Sequence, residues 1–290
     1  MAQAPIAVII LSWNRPLYLW AALDSLYRHT RQPARFILVD NNSDDPGVGD
    51  VVTGFTRRGM FHTVDWASVN SPTRPDDSMS KYRPLFGEFF VYVESDTLVL
   101  ESDPCWLSRF CELMDAHPRL GLLGSYIDNR DFVEPRQAAA IAPALDAAHR
   151  AALIKENSME RQLPAVPPPS EIIDPFNPPG RLLAIRTRVF DTVGFAPDGL
   201  LYTQVKAAGW EAGIATDIRH RHLSLLNFFD YPGYDTQARD RFFMDQVIPD
   251  GSKPGGPSSG RRPGFEPCRP TTERYGLHLP GWLRRWAGRN

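Results

Sequence analysis

Cysteine is scarce in this sequence and long apolar runs are absent, and each scarcity removes a class of protein. Three cysteines in 290 residues, Cys105, Cys111 and Cys268, form no C-x-x-C pair and no Cys/His spacing suited to zinc. So small and odd a set points to free thiols in a reducing compartment and away from a disulfide scaffold. No stretch approaches the roughly 20 apolar residues of a membrane span. The opening MAQAPIAVIILSWNRP has neither a basic start nor a cleavage site, so it does not read as a signal peptide. These features lead to the expectation of a cytoplasmic protein. An excess of one charge is also missing: 32 basic and 34 acidic residues leave a formal net charge of -2, and no basic field that would favour nucleic acid. Glycine is lacking where a dinucleotide fold needs it, because LSWNRP follows the first apolar run without a G-x-G-x-x-G turn.

What is present is a globular composition, 42% hydrophobic and 23% charged, on a chain long enough for a sizeable core. IAVIILS (6–12) and ARFILVD (34–40) read as strands buried on both faces of a parallel sheet. Between them Leu17, Trp20, Ala21, Leu23 and Leu26 recur at helical spacing, with Pro16 in the first turn. GVGDVVTGFTRRG suggests a short helix, TVDWASV (63–69) a third strand, NSPTRPDDSMSKYRP a polar loop and GEFFVYVESDTLVL a fourth strand. DPCWLSRFCELMDAHP (103–118) has the pattern of an amphipathic helix capped by Asp103 with Pro104 first, and RLGLLGSYI returns a strand. Strand and helix alternating in this way imply an α/β sheet with right-handed crossovers and ligands at the carboxyl ends of the strands. The second half is less regular. Residues 136–163 are Ala-rich and helical in pattern, 164–180 form a proline-dense extended connector, 181–195 a strand then a short helix, and 199–210 another helix. Residues 250–273 have the composition of a flexible tail.

Two carboxylates stand one residue apart at the end of the fourth strand, in FFVYVESD: Glu94 and Asp96. Charges are seldom placed at the end of a core strand without a partner. Such a pair suits a hard divalent cation, an acid/base couple, or a turn cap that binds arginines, and the residues alone leave all three open.

The segment VIILSWNRPLYLWAALDSLYRHTRQPARFILVDNNSDD resembles the start of family 2 glycosyltransferases of the GT-A fold. Those begin with an apolar strand, a YNR-like turn, a helix, and a strand ending in VVDNGSTD. The resemblance implies one GT-A domain with a mostly parallel nucleotide-binding sheet flanked by helices. Residues 1–125 would form the nucleotide-sugar half, 126–249 the acceptor half with an insertion at 134–180, and 250–290 a tail. It further implies that Asp40 contacts the base or ribose and that Asn42 and Asp44 fall in the nucleotide loop, where they equally suit a turn; Asn14 and Arg15, at the carboxyl end of the first strand, would meet the nucleotide or simply form the turn before the helix. Glu94 and Asp96 stand where the family carries its acidic metal motif, with glutamate in place of the first aspartate, and would hold Mn²⁺ or Mg²⁺ against a nucleoside-diphosphate sugar. Inverting members place a base just before a helix ending R…AGY. VGFAPDGLLYTQVKAAGW puts Asp198 there, with Pro197 and Gln204 where glutamate and arginine are usual. A plain helix N-cap is the alternative role for Asp198.

Relatives also carry a histidine that joins the metal or diphosphate, and TDIRHRHLS offers His222, with His220 as the alternative. Strand alternation sets both histidines on one face and Arg219 and Arg221 on the other. Lys81 and Arg83 would reach phosphates or stay in a solvated loop; Trp66 and Trp210 would stack on a sugar or stay in the core. The resemblance therefore implies metal-dependent transfer of a sugar to a hydroxyl acceptor, whether glycan, lipid-linked or small molecule. The rivals are a non-catalytic scaffold of the same fold and a retaining enzyme. LPGWLRRWAGRN (279–290) alternates aromatics and arginines in a way suited to peripheral contact with a membrane interface.

Overall fold

A computed structural model describes residues 4–223, except 131, 142, 144, 145, 155, 158, 170, 175–179 and 197. The first half alternates as expected: β1 (Ile6–Ser12), α1 (Pro16–His29), β2 (Ala34–Asp40), α2 (Pro46–Arg57), β3 (Phe61–Trp66), α3 (Arg74–Tyr82), β4 (Phe89–Glu94), β5 (Thr97–Val99), α4 (Trp106–Ala116) and β6 (Leu120–Ile127). Then come α5 (Pro135–Ile141), α6 (Ala147–Leu153), α7 (Met159–Gln162), β7 (Ile172–Ile173), β8 (Leu182–Arg186), α8 (Thr187–Val193), α9 (Asp198–Ala207) and β9 (Glu211–His222).

Among the described residues one sheet runs in the order β3-β2-β1-β4-β8-β6-β9-β5, with β7 added to β9. The half β3-β2-β1-β4 is parallel throughout. Beyond β4 the sheet is mixed: β8 is antiparallel to β4 and β6, β6 is parallel to β9, and β5 and β7 are antiparallel to β9. β1 lies in the middle with Ala7 to Ile10 fully buried, which explains its uninterrupted apolar run. One face packs on α1, α2 and α4 through Leu19, Leu23, Phe55, Trp106 and Phe110. The other packs on α3, α8 and α9 through Met79, Phe190, Leu201 and Val205.

Four expectations need correction. The polar loop after β3 contains α3, a helix that buries only Ser78, Met79 and Tyr82 and so shows almost no apolar stripe. The fourth strand is two elements: β4 ends at Glu94, the chain turns at Ser95-Asp96, and β5 pairs with β9. α4 is capped by Cys105, whose thiol sulfur accepts from Ser108 N, so Asp103 is not the cap and Pro104 is not its first residue. The Ala-rich segment is three short helices, and the connector after it carries β7. β7 lies so close to β9 that a Cβ on Gly213 would stand 2.7 Å from the carbonyl oxygen of Ile173. The tail at 250–290, its basic aromatic end included, lies outside the described residues. No described helix is long and apolar enough to cross a membrane.

Candidate functional site

The carboxyl ends of β1, β2 and β4 come together at two turns that follow them. After β1, Asn14 and Arg15 both take left-handed backbone, with φ of 54° and 58°, before Pro16 opens α1. The Asn14 side-chain oxygen accepts from the backbone N–H groups of Asp44 and Asp45, at 2.9 and 3.1 Å, and its own N–H donates to Ser43 Oγ. Asn14 therefore fastens the first turn to the loop after β2. Asp40 holds that loop from below: its carboxylate accepts from Ser43 N at 2.7 Å and Ser43 Oγ at 2.6 Å. Asp40 is fully buried, and burial raises its pKa against the lowering by Ser43. Its influence on a ligand thus runs through the loop it shapes. Asn42 sits at the tip of that loop with φ of 62°, half-buried. Asn41 ties the loop to the next one, donating to Asn70 and accepting from Ser71 N.

Asp96, in the turn between β4 and β5, is the charged centre of the site and is only 7% exposed. Its Oδ2 accepts from Arg15 at 3.2 Å and lies 3.2 Å from His222 Nε2. Burial alone would raise the Asp96 carboxyl, but His222, Arg15 and Arg181 together hold it well below the usual carboxylate range. Burial first and then Arg181 push the His222 pKa down, against Asp96, which raises it. Both Asp96 Oδ1 and His222 Nδ1 are buried with no hydrogen-bond partner among the described residues. His220, two residues earlier on the same face of β9, is also buried, with Nδ1 2.7 Å from Ser125 Oγ; burial and Arg181 take its pKa down to about 3.

Glu94 lies at the end of β4, its side chain 36% exposed and its carboxylate 4.0 Å from Arg181 Nε. Among the described residues no three acidic, histidine or cysteine side chains converge as a ready metal cage. His222 turns Nε2 to Asp96, so its Nδ1 is directed away from that carboxylate; the orphaned Asp96 Oδ1 is the atom that fits the edge of a divalent cation, for a buried electron-pair donor needs a positive partner. Such an ion would complete its shell with Glu94 and ligand oxygens.

The other named residues lie apart from this centre. Lys81 Nζ is bound to Asp65 at 2.7 Å, and Arg83 grips Asp191 with two hydrogen bonds, so neither basic side chain is directed at the carboxylates. Trp210 precedes β9, at the end of the sheet away from Asp96, beneath the Arg188 guanidinium at 4.4 Å. Asp198 is the first residue of α9.

No known protein-family model and no curated protein matches the chain. Solved structures do. GalNAc-T7, crystallised with UDP, GalNAc and Mn²⁺, aligns over 76% of this chain and 44% of its own, with a TM-score of 0.53 and 12% identity. S. aureus TarS aligns over 83% of this chain and 42% of its own, with a TM-score of 0.51 and 13% identity. The mannosyltransferase PcManGT from Pyrobaculum calidifontis, in complex with GDP-Man and Mn²⁺, covers 79% of this chain and 58% of its own at 16% identity and a TM-score of 0.49. The fold is GT-A. This chain spans well under two thirds of the length of each of these three.

Two further site residues stand out that no motif or spacing selects. Arg181 immediately precedes β8, and its carbonyl accepts from Glu94 N, with its Nε 4.0 Å from the Glu94 carboxylate. Glu160, on α7, makes an ion pair with the same guanidinium. Only the antiparallel pairing of β8 with β4 brings them there, and no local pattern announces it.

Proposed function

We propose that this chain is a metal-dependent glycosyltransferase that moves a sugar from a nucleoside-diphosphate donor to a hydroxyl acceptor with inversion. The observation that carries the reading is Asp96: a buried carboxylate with one unpartnered oxygen, in the turn just after Glu94 at the carboxyl end of a GT-A sheet. A structural neighbour of the same fold was crystallised with UDP and Mn²⁺, which supports the choice of ligands.

Asp96 and Glu94 would hold Mn²⁺ or Mg²⁺, which when bound supplies positive charge to the leaving diphosphate, and His222 would steady Asp96 or meet the diphosphate. The chain's own residues then do the rest. Asn14 and Asp40 fix the loop that carries Asn42, and that loop receives the nucleoside. Arg15, held at Asp96 and lying 4.9 Å over the Tyr18 ring, has its guanidinium at the rim of the site for a phosphate. Asp198 would take the proton of the acceptor hydroxyl.

Titration calorimetry with UDP, GDP and dTDP, each with and without Mn²⁺, tests the core of the reading. One nucleotide should bind the wild type far more tightly with metal, and Asp96→Ala should lose that dependence. Asp198→Asn should keep donor binding and lose transfer, by about 100-fold or more if it is the general base. Absence of nucleotide binding under every condition would remove the glycosyltransferase reading. Unchanged transfer in Asp198→Asn would favour the retaining alternative.

A further inference from the structure

The end of the sheet opposite Asp96 carries a cleft that no step of the proposed transfer uses. β8 runs antiparallel to β4, so Arg186, its last residue, stands across from Phe89, where β4 begins. Two adjoining hollows of about 420 and 470 Å³ open there and share Pro118 and Arg188 as walls. Each has the size of a small-molecule site. Four arginines line them, and two of these are already matched: Arg83 grips Asp191, and Arg119 pairs with Glu211 at 3.0 Å.

The other two keep donors to spare. Arg186 is 4% exposed, and its Nε and Nη2 donate to the carbonyls of Leu120, Met114 and His117, which fixes the plane of the guanidinium. Its Nη1 makes no hydrogen bond among the described residues; the exposed Glu88 carboxylate stands 3.7 Å away, too far for one. Arg188 donates once, to the Pro118 carbonyl at 3.0 Å, and lies 4.4 Å over the Trp210 ring. Trp210 is itself held, for a Cβ on Gly121 would stand 2.8 Å from the Trp210 Cβ. Burial first and then the charge of Arg188 push the Arg186 pKa down, and the push from Arg188 exceeds the pull of Glu88. Two like charges thus stand together in a preformed hollow, and an anion placed between them would relieve their repulsion.

We propose that this cleft binds the phosphate group of a small phosphorylated molecule, gripped by Arg186 and Arg188, with the Trp210 ring as a wall for the body that carries it. Guanidinium forks match the several oxygens of a phosphate, and a hollow closed by packed side chains suits a compact ligand. Glu88 is a competitor at the mouth of the site, since its carboxylate repels the incoming group. The site stands apart from the nucleotide end of the sheet and holds whether or not the chain transfers sugars.

The test is titration calorimetry on the full chain, in a buffer free of phosphate, with glucose 6-phosphate, inorganic phosphate and glucose. Glucose 6-phosphate should bind, inorganic phosphate more weakly, and glucose not at all. Arg188→Gln, at an exposed position that folding tolerates, should weaken glucose 6-phosphate by about tenfold or more and leave nucleotide binding at the other end unchanged. Glu88→Gln should tighten it by about threefold, because a like charge is removed. Arg186→Gln should abolish binding, and should that variant fail to fold, the two exposed variants decide. Absence of binding at millimolar glucose 6-phosphate, or an unchanged affinity in Arg188→Gln, would overturn the inference. Capture by vesicles of phosphatidic acid in phosphatidylcholine, without binding of glucose 6-phosphate, would overturn it in favour of a lipid headgroup.

Discussion

At the residue scale the fold uses buried charge in several distinct ways. Asp40 is spent on its own loop, Asp96 faces a cluster of cations, and Asp128 closes the far side of β6. The Asp128 side chain is fully buried and accepts from Arg130 Nε at 2.8 Å, with Arg219 at 3.3 Å. Hydrogen bonds from Arg130 first, then the charge of Arg219, lower its pKa against the pull of burial. A carboxyl lowered by folding contributes stability above its unfolded pKa, and that contribution is lost as pH falls through the folded value. Asp128→Asn should thus cost about 1–2 kcal/mol at pH 7, a modest figure because both arginines are partly in solvent. The gap to wild type should narrow as pH falls below the ordinary carboxylate value of about 3.8, as measured by urea unfolding across that range. Individual residues were unevenly legible in the sequence. The β1 and β2 turns could be placed because their residues are consecutive with the strands they end. Asp96 could be placed because it interrupts an apolar run. Arg181 and Glu160 could not, since Arg181 reaches the site only through the antiparallel pairing of β4 with β8, which joins Val93 to Leu182, and Glu160 comes from a separate short helix.

At the element scale, the parallel half was readable because doubly buried strands leave continuous apolar runs and the intervening helices carry clear stripes. α3 escaped because its nine residues, RPDDSMSKY, bury only three side chains and carry four charges between Arg74 and Lys81. β7 escaped because two residues are too few to show a period. Its presence is nonetheless written in β9 as Gly213, where Ile172 and Ile173 approach too closely for any side chain. Gly213→Ala should force β7 away from β9 and destabilise the protein by about 1–3 kcal/mol, the usual cost of overpacking a filled site. Thermal unfolding measures it. No loss would mean that β7 yields without strain.

For the whole molecule, the sheet divides into a rigid parallel half and a mixed half assembled from distant segments. β1 and β4 lie in its middle with nearly every residue buried, whereas α5, α6 and α7 are short and include exposed positions such as Glu134, Glu156 and Asn157 around them. Native-state hydrogen exchange should therefore find the slowest amides in β1, β2 and β4, near the global unfolding limit, and amides of 135–162 exchanging orders of magnitude faster. Protection of that insertion equal to β1 would show that it is part of the main cooperative unit. The fold class was legible from the first 45 residues, where both strands and the helix between them are consecutive.

The antiparallel seam between β5 and β9 has a consequence for how the protein is made. His222 meets Asp96 across 126 residues, and β5 has no other strand partner than β9 among the described residues. On the ribosome the parallel half can form once β4 has emerged, yet Asp96 then waits beside Arg15 without its histidine. The site is thus assembled late in synthesis, after a nucleotide loop that was ready long before it.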